Sequence, residues 1–152
     1  MLLQGKTAIV TGGTRGIGLA IVRTYLQNGA RVALFGSRPE SAQKAVSQLK
    51  AENADWEVLG LSPDLTDFSA VKAAVDQVAE IFGTVDILVN NAGISAREPL
   101  ADYTPEKFKA IMDLNVTAVF NGCKAVEPIM RQAGHGCILN TSSMVSLYGQ
   151  PS

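Results

Sequence analysis

Apolar residues along the chain fall into two kinds of pattern. Short, nearly continuous apolar runs rich in β-branched residues predict five β-strands, at residues 7–10, 31–35, 57–61, 85–89 and 137–140. Longer stretches in which apolar residues recur every three or four positions predict four helices, at residues 16–28, 39–51, 68–82 and 105–133. This alternation predicts an α/β fold of the Rossmann type, a doubly wound parallel sheet in three α/β/α layers.

The predicted strands carry few polar side chains, and this indicates how the sheet is covered. Residues 32–35 and 87–89 are apolar throughout, as expected for strands with helices on both faces. With 47% hydrophobic residues, we expect residues 1–152 to form a single dinucleotide-binding domain around one substantial core. The chain stops soon after the fifth strand, before a helix that would cover it. We therefore expect the domain to be truncated after that strand and incomplete at its carboxyl end.

Charge, apolar runs and cysteine spacing together disfavour several classes of protein. Thirteen basic and fourteen acidic residues give a net charge of −1, without a basic cluster suited to nucleic acid. Neither a leader nor a membrane-length apolar run is evident, which predicts a cytoplasmic protein with no membrane partner. Cys123 and Cys137 are not spaced as metal ligands and are expected to be reduced core thiols. His135 lies between two glycines and predicts a turn, so we expect no metal site.

A glycine-rich segment joins the first predicted strand to the first predicted helix. Its sequence, TGGTRGIG at residues 11–18, places backbone N–H groups and a helix N-terminus where a pyrophosphate can bind. The spacing G-x-x-x-G-x-G differs from the common G-x-G-x-x-G fingerprint, so the segment alone leaves a plain tight turn equally open. The candidate cofactor-binding residues of this loop are Gly12, Thr14, Arg15, Gly16, Ile17 and Gly18.

The glycine spacing resembles the cofactor loop of the short-chain dehydrogenase/reductase family, and further matches follow in order. Asn91, Ala92 and Gly93 lie in an N-N-A-G segment after the fourth strand, which in the family runs beside the cofactor; a plain turn is the alternative. Asp64, which precedes Leu65 after the third strand, matches the residue with which the family commonly holds the adenine ring. A helix N-cap is the competing role for Asp64.

Two positions resemble catalytic residues of the family. Asn115, in the long predicted helix, matches an asparagine that completes a proton relay through a water. Its apolar neighbours disfavour the alternative, an exposed helical asparagine. Ser143 matches the serine that polarises the substrate oxygen, with Ser142 as the rival assignment. The same resemblance matches Asp86 to a family position that stabilises the floor of the cofactor site, in a structural role.

The family's catalytic tyrosine and lysine, in a Y-x-x-x-K signature, follow the serine at a fairly fixed interval that extends beyond Ser152. Tyr148 does not start this signature, because Ser152 stands four residues after it; we expect a loop or substrate-pocket residue. In the family the tyrosine transfers the proton, and the lysine lowers the tyrosine pKa and holds the cofactor ribose. Hydride transfer needs this coupled protonation, so we expect the chain alone to be inactive.

The end of the second strand favours NADP over NAD as the cofactor. Enzymes selective for NAD generally place an acidic residue there, where this chain has Gly36. Ser37 and Arg38 follow it and can hold a 2′-phosphate, with Arg15 as a second cation. NAD stays the alternative, because Arg38 stands one place later than the arginine of many NADP-dependent relatives. The alternative role of Arg38 is a solvated charge on a loop.

Several stretches are most similar to bacterial bile-acid 3α-hydroxysteroid dehydrogenases of this family, at residues 35–36, 57–60, 64–66 and 111–122. The resemblance implies hydride transfer between NAD(P) and a small-molecule secondary alcohol or ketone, with hydroxysteroids and 3-oxoacyl compounds as candidate substrates. Two other classes stay open: a catalytically silent nucleotide-binding module, and an interaction module that acts through the long helix. In the family that helix usually packs against its symmetry mate, which implies a homo-oligomer, a dimer or a tetramer.

Overall fold

All five predicted strands form, and they lie side by side in one sheet. The computed structural model describes residues 1–96, 98–144 and 147. Its strands are β1 Thr7–Thr11, β2 Arg31–Phe35, β3 Val58–Leu61, β4 Ile87–Asn90 and β5 Cys137–Asn140. Their order is β3-β2-β1-β4-β5, and every neighbouring pair is parallel. The strand order therefore reverses between β1 and β4, the place where open α/β sheets bind ligands.

Helices cover both faces of the sheet, as the apolar strands predicted. They are α1 Gly16–Gln27, α2 Pro39–Glu52, α3 Phe68–Phe82, α4 Pro105–Met112 and α5 Ala118–Ala133. Buried residues of α1 and α2 pack on one face with Val10 and Leu34. Those of α3 and α5 pack on the other face with Ile9 and Ala33. Alternate residues of β1, β2, β3 and β4 thus enter two separate cores, and the predicted three-layer Rossmann-type arrangement is confirmed.

The single long helix predicted at residues 105–133 is interrupted. A five-residue π-helical turn, Asp113–Thr117, joins α4 to α5. The helical stretch begins where the Thr104 side chain accepts a hydrogen bond from the Lys107 N–H, and it ends at Gly134, whose φ is 73°. A π-helical turn adds one residue to the helical repeat and is frequent at functional sites. Here it contains Asn115.

β5 is covered far less than the central strands. All four of its residues are exposed, and it pairs with β4 along one edge. Its first residue, Cys137, is therefore exposed, and the prediction of a core thiol is wrong at this position. Cys123, in α5, is half-buried, and both cysteines are free thiols. Within the described residues, no helix is long and apolar enough to cross a lipid bilayer.

Asp86 ties the amino ends of the central strands together. Its Oδ2 accepts a 2.8 Å hydrogen bond from the buried Thr7 N–H, and its Oδ1 lies 3.3 Å from Lys6 Nζ and 3.6 Å from His135 Nδ1. The carboxylate side chain is only 7% exposed. Because β1 and β4 run parallel, Asp86 lies at the end of the sheet opposite the glycine loop. The hydrogen bond from Thr7 gives Asp86 a structural role at this end of the sheet, and its stabilising effect on the floor of the cofactor site stays a prediction.

Replacement of Asp86 tests this role. In Asp86→Ala the buried Thr7 N–H loses its acceptor, so we expect the free energy of unfolding to fall by about 1–3 kcal/mol. Asp86→Asn keeps an oxygen that can accept from Thr7, and it should lose less. Urea unfolding followed by circular dichroism measures both variants. Equal losses in the two variants would contradict the importance assigned to the Thr7 hydrogen bond.

Candidate nucleotide-binding site

The carboxyl ends of β1, β2 and β4 open into a groove at the switch in strand order. Its volume, about 520 Å³, falls in the range of pockets that bind cofactors. Five segments line it: the glycine loop, the end of β2, the segment after β3, the chain after β4 and the π-helical turn. The six residues predicted from the glycine loop all lie in its wall: Gly12, Thr14, Arg15, Gly16, Ile17 and Gly18.

Two glycines of the glycine loop cannot be replaced freely, one for lack of space and one because of its backbone conformation. A Cβ on Gly18 would lie 2.1 Å from the carbonyl oxygen of Gly12, so only glycine allows the first turn of α1 to pack on the loop. Gly16 has a φ of 54°, in the left-handed region, while space beside it is open. The N–H of Gly13 donates to the Phe35 carbonyl at 3.2 Å, which fixes the loop to the end of β2.

The first turn of α1 lacks the groups that usually satisfy a helix N-terminus. Its N-cap is Arg15, whose side chain makes no capping hydrogen bond, and the first turn contains no acidic residue. The first backbone N–H groups of a helix have no partner within the helix itself. Because Gly16, Ile17 and Gly18 line the groove, these N–H groups stand at its wall. The arrangement suits an anion, above all a phosphate group.

Thr11 joins the glycine loop to the chain after β4. Its Oγ1 accepts hydrogen bonds of 3.0 Å from the backbone N–H of Asn91 and of Ala92. In return, Asn91 Nδ2 donates to the Thr11 carbonyl at 3.2 Å and to the Gly12 carbonyl at 3.5 Å. The predicted residues Asn91, Ala92 and Gly93 line the groove together with Ile94. Both segments are thereby held as one wall.

Asn115 holds the chain that follows the N-N-A-G segment. Its Oδ1 accepts from the Ile94 N–H at 2.9 Å, and its Nδ2 donates to the Ile94 carbonyl at 2.8 Å. The sequence predicted a buried face around Asn115, and this is wrong, because Asn115 and Val116 are exposed. The apolar residue of the π-helical turn that reaches the groove is Leu114. The turn thus presents Asn115 to the groove wall while its apolar neighbour Val116 stays outside.

The chain after β5 begins beside the chain after β4. Asn90, which is 3% exposed, donates from Nδ2 to Asn140 Oδ1 at 2.9 Å, and its carbonyl accepts from the Thr141 N–H at 2.9 Å. Ser142 and Ser143 follow immediately in exposed positions at the same end of the sheet. The structure therefore places both candidate serines on the edge that carries the groove. Tyr148 lies outside the described residues.

The segment after β3 contributes Leu65 to the groove wall. Asp64 closes a local turn instead: its Oδ1 accepts from the Thr66 N–H at 2.9 Å and from Thr66 Oγ1 at 2.7 Å. These hydrogen bonds lower the pKa of Asp64 and keep it ionised. The N-cap of α3 is Asp67, which accepts from the Ser69 N–H at 2.8 Å. The alternative that Asp64 caps the helix is therefore wrong.

A second open groove, also about 520 Å³, adjoins the first at Ser37 and the glycine loop. Three basic side chains line it: Arg15, Arg38 and Lys44. Gly36, between the two grooves, is buried, and a Cβ there would lie 2.7 Å from Thr14 Cγ2. An acidic side chain does not fit at Gly36 without displacing its neighbours. Positive charge thus dominates the region beyond the end of β2.

Comparison with known proteins matches residues 6–152 to the family model described as short chain dehydrogenase. The chain belongs to the short-chain dehydrogenase family. Among its relatives, a 3alpha-hydroxysteroid dehydrogenase of Mediterraneibacter gnavus is 56% identical over the whole chain. A 3-oxoacyl-[acyl-carrier-protein] reductase of Chlamydia trachomatis is 37% identical over 99% of it. These matches cover 61% and 60% of the two relatives, so the chain spans about three fifths of their length.

Solved structures of dehydrogenases share this architecture. The crystal structure of an NAD⁺-bound xylitol dehydrogenase superposes with a TM-score of 0.92 at 34% identity, and the match covers 99% of this chain and 58% of that one. A short-chain dehydrogenase from Novosphingobium aromaticivorans, described as putative, gives a TM-score of 0.91, also at 34% identity. The Rossmann-type fold and the resemblance drawn from the glycine loop are therefore confirmed.

The catalytic signature of short-chain dehydrogenases does not follow Ser143 in this sequence. The same spacing, Y-x-x-x-K, occurs once elsewhere, at Tyr103 and Lys107, where α4 begins. Lys107 forms an ion pair with Glu98, and its N–H donates to the Thr104 cap at 3.2 Å. Tyr103 and Lys107 precede the serine, whereas the family pair follows it. We therefore assign them to the start of α4.

Sequence reasoning missed Lys44 and Ile94 as residues of the site. Lys44 lines the second groove with Ser41 and Gln48, which share its face of α2. These three positions are three and four residues apart, which places them on one face of a helix. This spacing could have indicated Lys44 as a further cation near Arg38. No pattern marked Ile94, because its part in the site is made by backbone atoms. Among the described residues, no group of three or more histidine, cysteine or acidic residues could hold a metal ion.

Proposed function

We propose that this chain is the amino-terminal, cofactor-binding part of an oxidoreductase and that it binds NAD(P) in the groove at the switch in strand order. One observation carries the proposal: the uncapped first turn of α1, whose residues Gly16, Ile17 and Gly18 line the groove. A pyrophosphate placed there accepts hydrogen bonds from those N–H groups. Membership in the short-chain dehydrogenase family and the NAD⁺-bound state of a structural relative support the same ligand.

For the whole protein we propose hydride transfer between the nicotinamide and a secondary alcohol or ketone. The cofactor supplies or accepts the hydride. Ser143 donates a hydrogen bond to the substrate oxygen, while Asn115 holds the backbone of Ile94 at the groove wall. The 152-residue chain alone is proposed to be inactive, since no tyrosine and lysine follow Ser143 in the family spacing to transfer the proton.

The substrate class that we propose is a hydroxysteroid. Its support is the 56% identity to a relative named 3alpha-hydroxysteroid dehydrogenase. A second relative, at 37% identity, is named for the reduction of 3-oxoacyl groups on a carrier protein, and that chemistry is the alternative. Both substrates present a secondary alcohol or a ketone to the cofactor. The same serine can therefore serve either reaction, and the choice depends on residues that shape the substrate pocket.

The proposed cofactor is NADP, with NAD as the alternative. Support comes from the second groove, where Arg15, Arg38 and Lys44 provide three cations. A 2′-phosphate on the ribose would accept charge-assisted hydrogen bonds from such groups. An acidic side chain, which selects NAD in many dinucleotide-binding folds, would also have to displace Thr14 if it stood at Gly36.

Nucleotide binding is measured directly by calorimetric titration of the chain with NADPH and NADH. We expect Gly16→Asp to weaken both by about tenfold or more, because a carboxylate there repels the pyrophosphate at the helix N-terminus. Gly16→Asn is the matched control. It adopts the same positive φ with a side chain of the same size but no charge, so it should bind more tightly than Gly16→Asp. If well-folded wild-type chain binds neither nucleotide, the proposed function fails.

Cofactor preference is tested on the cations of the second groove. Arg38→Ala and Lys44→Ala should each raise the dissociation constant for NADPH about threefold to tenfold and leave that for NADH unchanged. Lys50→Ala is the control on the same helix, since Lys50 Nζ binds the Ala54 carbonyl, away from the groove. The difference between NADPH and NADH should shrink as ionic strength rises. Equal effects on both nucleotides would argue against a 2′-phosphate site.

We also propose that α4 and α5 mediate contact with a second copy of the chain. Four large apolar side chains along this stretch are exposed: Phe108 by 58%, Met112 by 40%, Val116 by 52% and Phe120 by 61%. Exposed apolar side chains in such density mark interaction surfaces more often than isolated ones do. This observation favours an oligomer, and it is independent of the nucleotide groove.

Sedimentation velocity tests the contact. Wild-type chain should sediment as a dimer or a larger species at micromolar concentration, and Val116→Glu should shift it to the monomer, because a charge in an apolar interface is costly. Ile81→Glu is the control, since Ile81 is also 52% exposed but lies on α3. A wild-type monomer at all concentrations would contradict the proposal.

A further inference from the structure

Asn121 is a buried polar residue of α5 that the proposed chemistry does not use. It is only 4% exposed, and its Nδ2 donates a 3.0 Å hydrogen bond to the backbone carbonyl of Leu65. Its neighbours one turn away, Ala118 and Ala125, are buried apolar residues. Burying an amide among apolar side chains costs free energy unless hydrogen bonds compensate for it. The hydrogen bond to the Leu65 carbonyl compensates for this cost and links α5 to the segment after β3.

That bond anchors a segment whose other hydrogen bonds are local. Asp64 accepts both hydrogen bonds from Thr66, and the Asp67 N–H donates to the Asp64 carbonyl at 3.2 Å. Asp67 in turn caps α3. Within the part of the chain that the structure describes, Asn121 thus provides the long-range hydrogen bond that fixes residues 64–67 to the protein body.

The anchor has a fixed position because α5 lies very close to β4. A Cβ on Gly122 would lie 2.6 Å from Asn90 Oδ1, so the absence of a side chain at Gly122 sets how near the helix comes. Asn90 is itself held by Asn140 and buried. Since Asn121 is the residue before Gly122, this contact limits how far the backbone at Asn121 can shift relative to β4.

Leu65 stands in the wall of the nucleotide groove, in which Gly36 and Ser37 also lie. An aromatic base is apolar on its faces and carries hydrogen-bond donors on its edge. Leu65 offers an apolar wall to such a face. Asp64, the exposed residue before it, carries an ionised carboxylate that can accept from an edge N–H group. Both depend on the course of the backbone at residues 64–66.

We infer that Asn121 is a positioning residue for the adenine end of the nucleotide: by holding the Leu65 carbonyl, it fixes the wall against which the base packs. The inference rests on the proposed NAD(P) binding. Asn121 does not touch the ligand in this account. It acts through Leu65, so its removal should affect ligands that contain adenine and spare those that bind only at the glycine loop.

The test compares ADP, which contains adenine, with inorganic pyrophosphate, which does not. Asn121→Leu replaces the amide by an apolar group of similar size, and we expect it to weaken ADP binding about tenfold in an NMR titration while pyrophosphate binding stays within about twofold. Val78→Ala is the matched control for lost stability. Val78 is fully buried in the core that α3 and α5 share, farther along α3.

A second measurement does not depend on ligand. Hydrogen exchange of the Thr66 amide, which is bonded to Asp64, should become several-fold faster in Asn121→Leu, and also in Asn121→Ala, than in Val78→Ala at matched stability. The alanine variant avoids any packing strain from leucine, so it keeps the test decisive if Asn121→Leu folds poorly. Unchanged exchange in both variants would overturn the role of Asn121 as an anchor.

The outcomes separate this inference from the proposed function. If wild-type chain binds neither ADP nor the dinucleotides, nucleotide binding itself fails, and the positioning role fails with it. If wild type binds and the Asn121 variants bind ADP equally well, only the role of Asn121 is overturned. If ADP and pyrophosphate weaken to the same extent, Asn121 merely stabilises the fold, which also overturns the inference.

Discussion

The site depends above all on the buried hydroxyl of Thr11 at the end of β1. This one oxygen accepts two backbone hydrogen bonds from the chain that leaves β4. At the switch in strand order, the chains after β1 and β4 diverge, and without a link the crevice between them could widen. Because Thr11 and Asn91 exchange hydrogen bonds there, the glycine loop and the N-N-A-G segment keep one spacing. The remaining contacts of the groove, including that of Asn115 with Ile94, build on this fixed pair.

Much of the fold could be predicted from periodicity. The predicted bounds of β2, β5 and α3 agree with the structure, because each begins or ends at a sharp change from apolar to polar residues. The π-helical turn Asp113–Thr117 could not be predicted, since the apolar spacing continues through it. The place of Asp86 in the sheet follows from strand direction. Asp86 precedes β4, so it must lie at the amino end of a parallel sheet.

Site residues that are required by backbone geometry could be predicted well from the sequence. The burial or exposure of a side chain could be predicted less well. Glycines and small polar residues at the strand ends are visible in sequence, and the structure brings them together. The exposure of Asn115 and of Cys137 was not visible, because apolar neighbours suggest burial whether or not another element covers them. Lys44 was not predicted, because a lysine on a helix gives by itself no sign in the sequence of the groove that it lines.

The alternation of strand residues between two cores divides the molecule into two halves that can vary separately. The core beside α1 and α2 supports the glycine loop and the cationic groove, whereas the core beside α3 and α5 supports Leu65, Asn121 and the exposed α4–α5 surface. A substitution at Val10 or Leu34 should therefore affect the half that contains the glycine loop, and one at Ile9 or Ala33 should affect the other half. Because the two cores are separate, substitutions on the exposed α4–α5 side of the sheet can accumulate without altering the backbone that presents the glycine loop.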